Sequence, residues 1–158
     1  MSIVIREYKE SDIKALSALF YRTVHEVNCA DYGKEQLRAW APSPSVLEGR
    51  GKELSRMQTL VAETGGKIAG FGCIDQSGYL DLLYVSKDFL RRGVASAICD
   101  RLEECKDRVF TYASITAKPF FESRGYLTVK ENTVIRRGVA LKNFLMQKTC
   151  GVKAPPKD

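Results

Sequence analysis

Residues 82–98 read Leu82-Leu83-Tyr84-Val85-Ser86-Lys87-Asp88-Phe89-Leu90-Arg91-Arg92-Gly93-Val94-Ala95-Ser96-Ala97-Ile98. In this stretch an apolar strand pattern leads through a basic, glycine-containing turn into a helical pattern. The first N–H groups of a helix lack partners within it, and the helix dipole places partial positive charge at the same end, so a phosphate group binds well there. The stretch therefore predicts an anion-binding helix start, with a simple helix cap as the alternative.

The side chains of this turn fit the same role. Arg91 and Arg92 add formal positive charge, and Ser96 offers a hydroxyl group. Gly93 and the small Ala95 let a ligand approach the backbone closely. No segment has the glycine spacing of a P-loop or of a dinucleotide-binding turn, so those two kinds of phosphate site are excluded.

Length and composition indicate one domain over residues 1–150 and a disordered tail over residues 151–158. The chain has 158 residues, of which 44% are hydrophobic, which is ordinary for a globular protein. No apolar run approaches the roughly 18 residues of a membrane span, and no signal-peptide pattern is present. We therefore expect a cytoplasmic protein with no membrane partner.

Cysteine content and charge narrow the classes of ligand. The five cysteines form no C-x-x-C pair, which argues against a zinc site or a disulfide framework, so we expect no metal. The formal net charge of +6 suits an anionic partner. A polyphosphate cofactor fits better than nucleic acid, because no nucleic-acid-binding motif is present.

The apolar periodicity predicts an α/β fold of the mixed α+β kind. Strands are expected at residues 3–8, 59–63, 68–75, 79–85, 109–115, 126–129 and 139–146, and helices at residues 12–27, 35–40, 44–57, 93–106 and 116–123. This order indicates a mixed, mostly antiparallel central sheet of six or seven strands, flanked by about four main helices. The strands before and after the basic turn would run in parallel and splay apart, which would open a groove.

The order of elements and residues 84–98 resemble the GNAT family, the Gcn5-related N-acetyltransferases, over about residues 3–147. The family's turn motif, Gln/Arg-x-x-Gly-x-Gly/Ala, falls here on Leu90, Arg91, Arg92, Gly93, Val94 and Ala95. The resemblance implies that this turn holds the pyrophosphate of acetyl-CoA, and that the strand ending in Leu83, Tyr84 and Val85 holds the pantetheine arm. Leu90 departs from the family's Gln or Arg, but the backbone amides supply the main contact.

A second family segment, Asn-x-x-Ala-x-x-Phe-Tyr-x-x-x-Gly-Phe, appears at residues 114–126. By resemblance it adds to the cofactor site Ser114, Ala117, Lys118, Phe120 and Phe121. Phe121 stands where many GNAT enzymes carry the tyrosine that protonates the departing thiolate, and a phenylalanine has no proton to give. Together with Asp31-Tyr32 and residues 36–40, this segment resembles the YafP-like branch of the family.

The resemblance implies acetyl transfer from acetyl-CoA to a primary amine by direct attack, which needs a base for the amine proton. Asp81 is the candidate base, because it is the one acid within the apolar residues 79–85. The alternative is that Asp81 accepts hydrogen bonds at a strand bulge or pairs with an arginine. Three tyrosines, Tyr32, Tyr84 and Tyr112, could replace the missing acid, and Tyr32 is the preferred candidate. The thiolate could also leave unassisted.

The resemblance to the GNAT family implies that the loop after the first long helix faces the acceptor. Tyr32 and Trp40 would form a wall of the acceptor site, with Glu26 and Asp31 attracting a cationic amine. Equally, Trp40 could pin a helix to the core. We expect a small-molecule amine acceptor, with an exposed amino group as a further option, and a homodimer is possible. The alternatives are a non-catalytic acyl-CoA-binding module and an acetyltransferase acting on aminoacyl-tRNA or protein.

Overall fold

The computed structural model describes residues 2–151, so nearly all of the predicted tail lies outside the described residues. The elements follow the predicted order. They are β1 (Val4–Glu7), α1 (Ile13–Glu26), α2 (Lys34–Trp40), α3 (Gly51–Arg56), β2 (Gln58–Thr64), β3 (Lys67–Ile74), β4 (Leu80–Val85), α4 (Val94–Glu103), β5 (Arg108–Ser114), α5 (Lys118–Ser123), β6 (Leu127–Arg136) and β7 (Val139–Thr149). Within the described residues, no helix is long and apolar enough to cross a membrane.

The seven strands lie in two sheets, which corrects the prediction of one mixed sheet. The first sheet has the order β1-β2-β3-β4 and the second the order β5-β7-β6, and every strand pair is antiparallel. The expected parallel pair of β4 and β5 is reduced to a single bridge between Tyr79 and Phe110. The described residues also form five α-helices rather than about four.

The edges of the two sheets meet where the backbone at Gly78 comes very close to the backbone of Arg108. Gly78 has a φ of 91°, and a Cβ atom at this position would collide with the carbonyl oxygen of Arg108. The N–H of Phe110 donates to the carbonyl oxygen of Gly78 at 3.0 Å, and the hydroxyl of Thr111 donates to that of Leu80 at 2.8 Å. Beyond these bonds β4 and β5 share no ladder, so the edges of the two sheets leave a cleft between them.

Two elements differ in extent from the prediction. The helix expected over residues 44–57 is a 3-10 turn at Glu48–Arg50 followed by α3. The closing hairpin is longer than expected, with Arg136 paired to Val139 across Arg137-Gly138. Both loop residues have positive φ, 47° and 78°, as a two-residue hairpin turn requires. The sequence pattern predicted only the start of β6, at residues 126–129, because β6 is an edge strand whose residues are mostly exposed and show no apolar alternation.

The hydrophobic core has two parts. One part lies under α4, where Val94, Ile98 and Leu102 pack on the sheets at helical spacing. The other lies under α1, with Leu16 and Phe71 fully buried. The helices α1 and α4 therefore pack on opposite sides of the first sheet and hold the cleft between them.

The cysteines are free thiols. Cys73 and Cys99 are buried in the core, and burial raises the pKa of each to about 12. A thiol with so high a pKa carries almost no thiolate at neutral pH. These two residues act as small hydrophobic side chains, as expected for buried cysteine.

Candidate active site

A cavity of about 620 Å³ occupies the cleft between β4 and β5. It extends from the basic turn before α4 to the loop of the β6–β7 hairpin. Thirteen of the predicted cofactor residues line it: Leu83, Tyr84, Val85, Leu90, Arg91, Gly93, Val94, Ala95, Ser96, Ser114, Ala117, Phe120 and Phe121. The two family-like segments, which are separate in sequence, thus meet in one cavity.

Two of the predicted cofactor residues do not line the cavity. The guanidinium of Arg92 lies over the ring of Phe89, 5.7 Å from its centroid. The ammonium of Lys118 lies 4.8 Å from the centroid of Phe144 and 3.9 Å from a carboxylate oxygen of Glu122. Each cation is thus held by a neighbouring side chain, and neither residue is among those that line the cavity.

The turn before α4 has the backbone of an anion site. Gly93, at the N-cap, has a φ of 83°, and the space beside it is open. The first intrahelical bond runs from the N–H of Ala97 to the carbonyl of Gly93 at 3.0 Å, so the amides before Ala97 have no partner within the helix. Arg91 also has positive φ, 61°, a conformation that costs a non-glycine residue about 1–2 kcal/mol. Such strain is concentrated at functional sites.

The edge of β4 forms one wall of the cavity. β4 pairs with β3 on one side, and its other edge has no ladder partner among residues 2–151. Tyr84, near the end of this strand, packs edge-on against Phe20 with ring centroids 4.6 Å apart. Burial raises the pKa of Tyr84, and a hydrogen bond from Trp40 opposes that rise. The strand therefore presents free backbone groups beside the packed rings of Tyr84 and Phe20.

Asp81 is held by an arginine that the sequence reasoning did not identify. A guanidinium nitrogen of Arg50 lies 2.6 Å from a carboxylate oxygen of Asp81, and Arg50 also binds Glu53 at 2.8 Å. The Asp81 side chain lines the cavity and remains 21% exposed. Burial, the charge of Asp81 and a hydrogen bond to it raise the pKa of Tyr79 to about 12. The arginine pairing considered from the sequence is thus present, and it fixes the carboxylate at the cavity wall.

Tyr32 lines the cavity, but its hydroxyl is committed to the backbone. It donates to the carbonyl oxygen of Lys142 at 2.5 Å and accepts from the N–H of Ile115 at 3.0 Å. Burial raises the pKa of Tyr32, and the bond from Ile115 opposes that rise. The ring packs edge-on against Trp40, with centroids 5.2 Å apart. Tyr32 therefore ties β7 to the end of β5 at the base of the cavity.

Glu26 and Asp31, predicted to attract the acceptor, do not line the cavity. Glu26 pairs with Arg22 at 3.2 Å on the outer face of α1. The carboxylate of Asp31 accepts a hydrogen bond from the hydroxyl of Thr116 at 2.8 Å. Of the predicted acceptor residues, the structure brings together Tyr32 and Trp40.

The residues that sequence reasoning missed lie outside the two family-like segments. Arg50, Tyr79, Arg136, Arg137 and Lys142 all line the cavity. Arg137 donates to the carbonyl oxygen of Ala39 at 2.6 Å, which fastens the hairpin loop to α2. The one available signal was the Arg137-Gly138 pair, since a glycine after a polar residue favours a tight hairpin. That signal locates the loop but not the surface on which it packs.

Comparison with known proteins decides the family. Residues 28–150 match the family model of the acetyltransferase (GNAT) domain. The chain belongs to the GNAT acetyltransferase family. Members of this family use acetyl-CoA as the acyl donor, so the predicted resemblance is confirmed.

Two relatives extend along most of this GNAT chain. It is 39% identical over 147 residues to a protein of Escherichia coli (strain K12) described as the uncharacterized N-acetyltransferase YafP, covering 92% of this chain and 95% of that one. The crystal structure of a GCN5-related N-acetyltransferase from Rhodopseudomonas palustris has a TM-score of 0.88 and 31% identity, covering 94% of this chain and 96% of that one. The YafP-like character predicted from the sequence is thus confirmed.

A more distant structure shares the fold. The PaiA N-acetyltransferase of Thermoplasma acidophilum, solved in complex with coenzyme A, has a TM-score of 0.75 and 16% identity, covering 94% of this chain and 99% of that one. At this identity the likeness concerns the arrangement of the backbone.

Proposed function

We propose that residues 1–150 form one acetyltransferase domain, which transfers the acetyl group of acetyl-CoA to a primary amine of a small molecule or to an exposed amino group. The observation that carries this proposal is the continuity of the cavity. A single space of about 620 Å³ connects the anion-binding start of α4 with the carboxylate of Asp81. A long phosphorylated donor and a separate acceptor need such a two-ended cleft.

The donor end is assigned to the turn and to β4. The free amides at the start of α4 and the guanidinium of Arg91 bind the pyrophosphate, because backbone dipoles and a formal charge converge there. The unpaired edge of β4 offers N–H and C=O groups to the amide-containing pantetheine arm. Acetyl-CoA supplies an acetyl group activated as a thioester. Arg92 and Lys118 are left out of the donor site, since neither lines the cavity.

The acceptor end is assigned to Asp81 with Arg50 as its positioning residue. An amine must lose a proton as it forms an amide, and a carboxylate at the cavity wall can take that proton directly or through water. The amine nitrogen attacks the thioester carbonyl, its proton passes toward Asp81, and the carbon–sulfur bond breaks to release the thiolate. An N–H on the free edge of β4 stabilises the charge that develops on the carbonyl oxygen.

No tyrosine is available at position 121 to protonate the thiolate. Tyr32, the acid predicted from the sequence, would have to release the carbonyl oxygen of Lys142 before it could donate. A thiol has a pKa near that of free cysteine, about 8.5, so the thiolate is a competent leaving group without a proton donor. We therefore infer that Tyr32 serves the site through the backbone bonds it makes, and that the thiolate leaves unassisted.

One observation favours a second candidate function, a non-catalytic acyl-CoA-binding module. Phe121 is 3% exposed and packs edge-on against Tyr126, so the position usual for the acid holds part of the core. Such a module would bind acetyl-CoA and leave it intact in the presence of amines. The carboxylate of Asp81, which remains 21% exposed at the cavity wall, favours the enzyme.

Thermal unfolding with acetyl-CoA, CoA or ATP, followed by an assay of CoA release, tests both candidates. A ligand at about one hundred times its Kd adds roughly 2.7 kcal/mol to the free energy of unfolding, or about 5–10 °C in Tm at this size. We expect both CoA species to stabilise the protein and ATP to have no such effect. CoA release that depends on an added amine then supports the enzyme, whereas binding without release supports the module. No shift with any of the three overturns both.

A further inference from the structure

The acceptor end of the cavity is strongly basic. Among residues 2–151, the charged side chains that line the whole cavity are five basic ones, Arg50, Arg91, Arg136, Arg137 and Lys142, and one acidic one, Asp81. Arg91 belongs to the donor end, and the other four surround the acceptor end. The excess of positive charge there is the reverse of what a polycationic acceptor would need.

Three of these four cations already have partners. Arg50 binds Asp81 and Glu53. Lys142 pairs with Glu131 at 2.6 Å, and Arg137 donates to the carbonyl oxygen of Ala39. These bonds use their charge or their donors to support the cavity wall.

Arg136 differs from the other three. It forms no side-chain hydrogen bond and no ion pair with any residue of the described chain, although its side chain lines the cavity. It is the last residue of β6, and the next residue, Arg137, fastens the hairpin loop to α2. The backbone that carries Arg136 is therefore anchored, while its five N–H donors are free to bind a ligand.

Arg136 and Asp81 act on the same two aromatic side chains. The charge of Arg136 lowers the pKa of Tyr79 and Tyr84, against the larger effect of burial, and the charge of Asp81 raises the pKa of both. Both rings line the cavity. A cation and a carboxylate thus stand within electrostatic reach of one aromatic pocket.

We propose that the acceptor is an amine that also carries a carboxylate or phosphate group, which Arg136 binds while Asp81 receives the amine. This inference rests on the proposed acetyltransferase function. A guanidinium binds either anion through two parallel N–H bonds, which also orients the molecule. The apolar or aromatic body of the acceptor packs against Tyr79 and Tyr84. Asp81, held in place by Arg50, then meets the amine end, and the unpaired Arg136 meets the anionic end.

The test compares acceptors that differ only in the anionic group. One pair is phenylalanine and phenylalaninamide, another is phosphoethanolamine and ethanolamine, and spermidine is the polycationic comparison. CoA release is measured at saturating acetyl-CoA. In one of the two pairs, we expect kcat/KM to be at least tenfold higher for the amine that carries the anionic group than for its partner without that group. The pair that shows the difference identifies the anion as carboxylate or phosphate.

Variants connect that preference to the residue. Arg136→Gln is expected to lower kcat/KM about tenfold for the preferred amine with an anionic group. The kcat/KM of its partner without that group should change less than twofold. Lys130→Gln is the matched control, because it removes one positive charge from an exposed position on the same strand outside the cavity. We expect this control to behave as the unaltered protein. A loss in both variants would indicate a general effect of net charge and would overturn the assignment to Arg136.

Failure of the inference and failure of the proposed function give different results. If spermidine or the amines without an anionic group react as well as those that carry one, the proposed acetyltransferase function is supported and the proposal of an anionic acceptor is overturned. If acetyl-CoA binds but no amine releases CoA, the enzyme is overturned. Calorimetry with CoA-saturated protein then decides the anion site: tighter binding of N-acetylphenylalanine than of its amide, lost in Arg136→Gln, supports it, and equal binding overturns it.

Discussion

The proposed donor and acceptor ends of the cavity are built in different ways. The donor end comes mainly from the continuous residues 83–96, with part of residues 114–121. The acceptor end comes from the 3-10 turn at Glu48–Arg50, the end of α2, the start of β4 and the hairpin loop at Arg137. A contiguous segment carries one binding site in its own backbone conformation, whereas the other site exists only after distant segments have packed together.

The two ends also differ in the groups that act. The donor end relies on backbone amides and on the positive φ of Gly93, which most side-chain substitutions leave in place. The acceptor end relies on side chains, above all the pair of Asp81 and Arg50. Substitutions should therefore weaken the donor end gradually and the acceptor end abruptly.

The largest expected effect is that of Asp81→Asn. If Asp81 takes the amine proton, its loss lowers kcat by roughly 10²–10⁴-fold, the usual contribution of a general base. The increase in Tm produced by acetyl-CoA should stay unchanged, because the donor end does not use Asp81. Steady-state kinetics and thermal unfolding measure the two effects separately.

Asp107→Asn is the matched control for that experiment. It makes the same chemical change at an exposed position outside the cavity, and we expect it to retain full activity. Full activity of Asp81→Asn across the pH range would contradict the role of base. The pair with Arg50 would then be a structural contact only.

The contrast between the ends explains what the sequence could predict. The turn from Leu90 to Ala95 was found because glycine, small and basic residues act locally, through φ and through the start of α4. Arg50 and Arg136 were not found, since an arginine in a polar turn or on an edge strand has the pattern of a solvated residue. What decides their role is packing between segments more than 30 residues apart, such as the Arg50–Asp81 pair.

The same reasoning applies to the fold. Helices α1 and α4 were predicted because each repeats apolar residues at helical spacing. The division into two sheets was missed, since it depends on the number of backbone bonds that β4 and β5 form, and strand patterns do not encode that number. The crowding of Gly78 against Arg108 is a tertiary fact that no local pattern of residues shows.

The next largest effect concerns Glu103, which secures α4 and hence the donor end. Its carboxylate, 10% exposed, binds Arg124 at 2.9 Å and Lys148 at 2.9 Å and accepts from the hydroxyl of Tyr126 at 2.7 Å. Burial alone would raise the pKa of Glu103, but these hydrogen bonds outweigh burial and hold the pKa below its usual value. Glu103→Gln removes the counterion of the partly buried Lys148 and one of the two carboxylates that bind Arg124, and it should cost roughly 2 kcal/mol of the free energy of unfolding.

The pH dependence of that loss of stability follows from the direction of the pKa shift of Glu103. A carboxyl whose pKa is depressed in the folded state stabilises fully above its unfolded pKa, about 4.3, and loses that contribution as the pH falls through the folded pKa. Urea unfolding should therefore show the full difference between the unaltered protein and Glu103→Gln near pH 6 and a shrinking difference below about pH 4. Glu104→Gln, at the adjacent exposed position, should show little difference at either pH. A difference in the free energy of unfolding that does not change with pH would contradict an ionic origin of the stabilisation by Glu103.

A smaller effect is expected within the basic turn itself. Arg91 lines the cavity, whereas Arg92 lies over Phe89. Arg91→Gln should raise the KM for acetyl-CoA about tenfold, equivalent to ~1.4 kcal/mol, because one charge-assisted contact to phosphate is lost while the backbone amides remain. Arg92→Gln removes the same charge from the neighbouring residue and should change KM less than threefold. Equal effects would mean that the turn acts by its total charge and that the directions of the two side chains are unimportant.

The smallest effect on catalysis is expected for Tyr32→Phe, which distinguishes the two roles of this residue. Loss of the hydroxyl leaves the carbonyl of Lys142 and the N–H of Ile115 without their side-chain partner, at a cost of about 1 kcal/mol in stability. If the thiolate leaves unassisted, kcat should fall less than threefold at temperatures well below Tm. If Tyr32 were the acid instead, kcat should fall by two orders of magnitude or more, the smallest usual loss for a proton donor being about 10²-fold. Tyr32 joins β7 to the end of β5 beside the cavity. A loss of stability without a loss of turnover would therefore show that Tyr32 supports the structure of the site, and Asp81 would remain the residue that moves the proton.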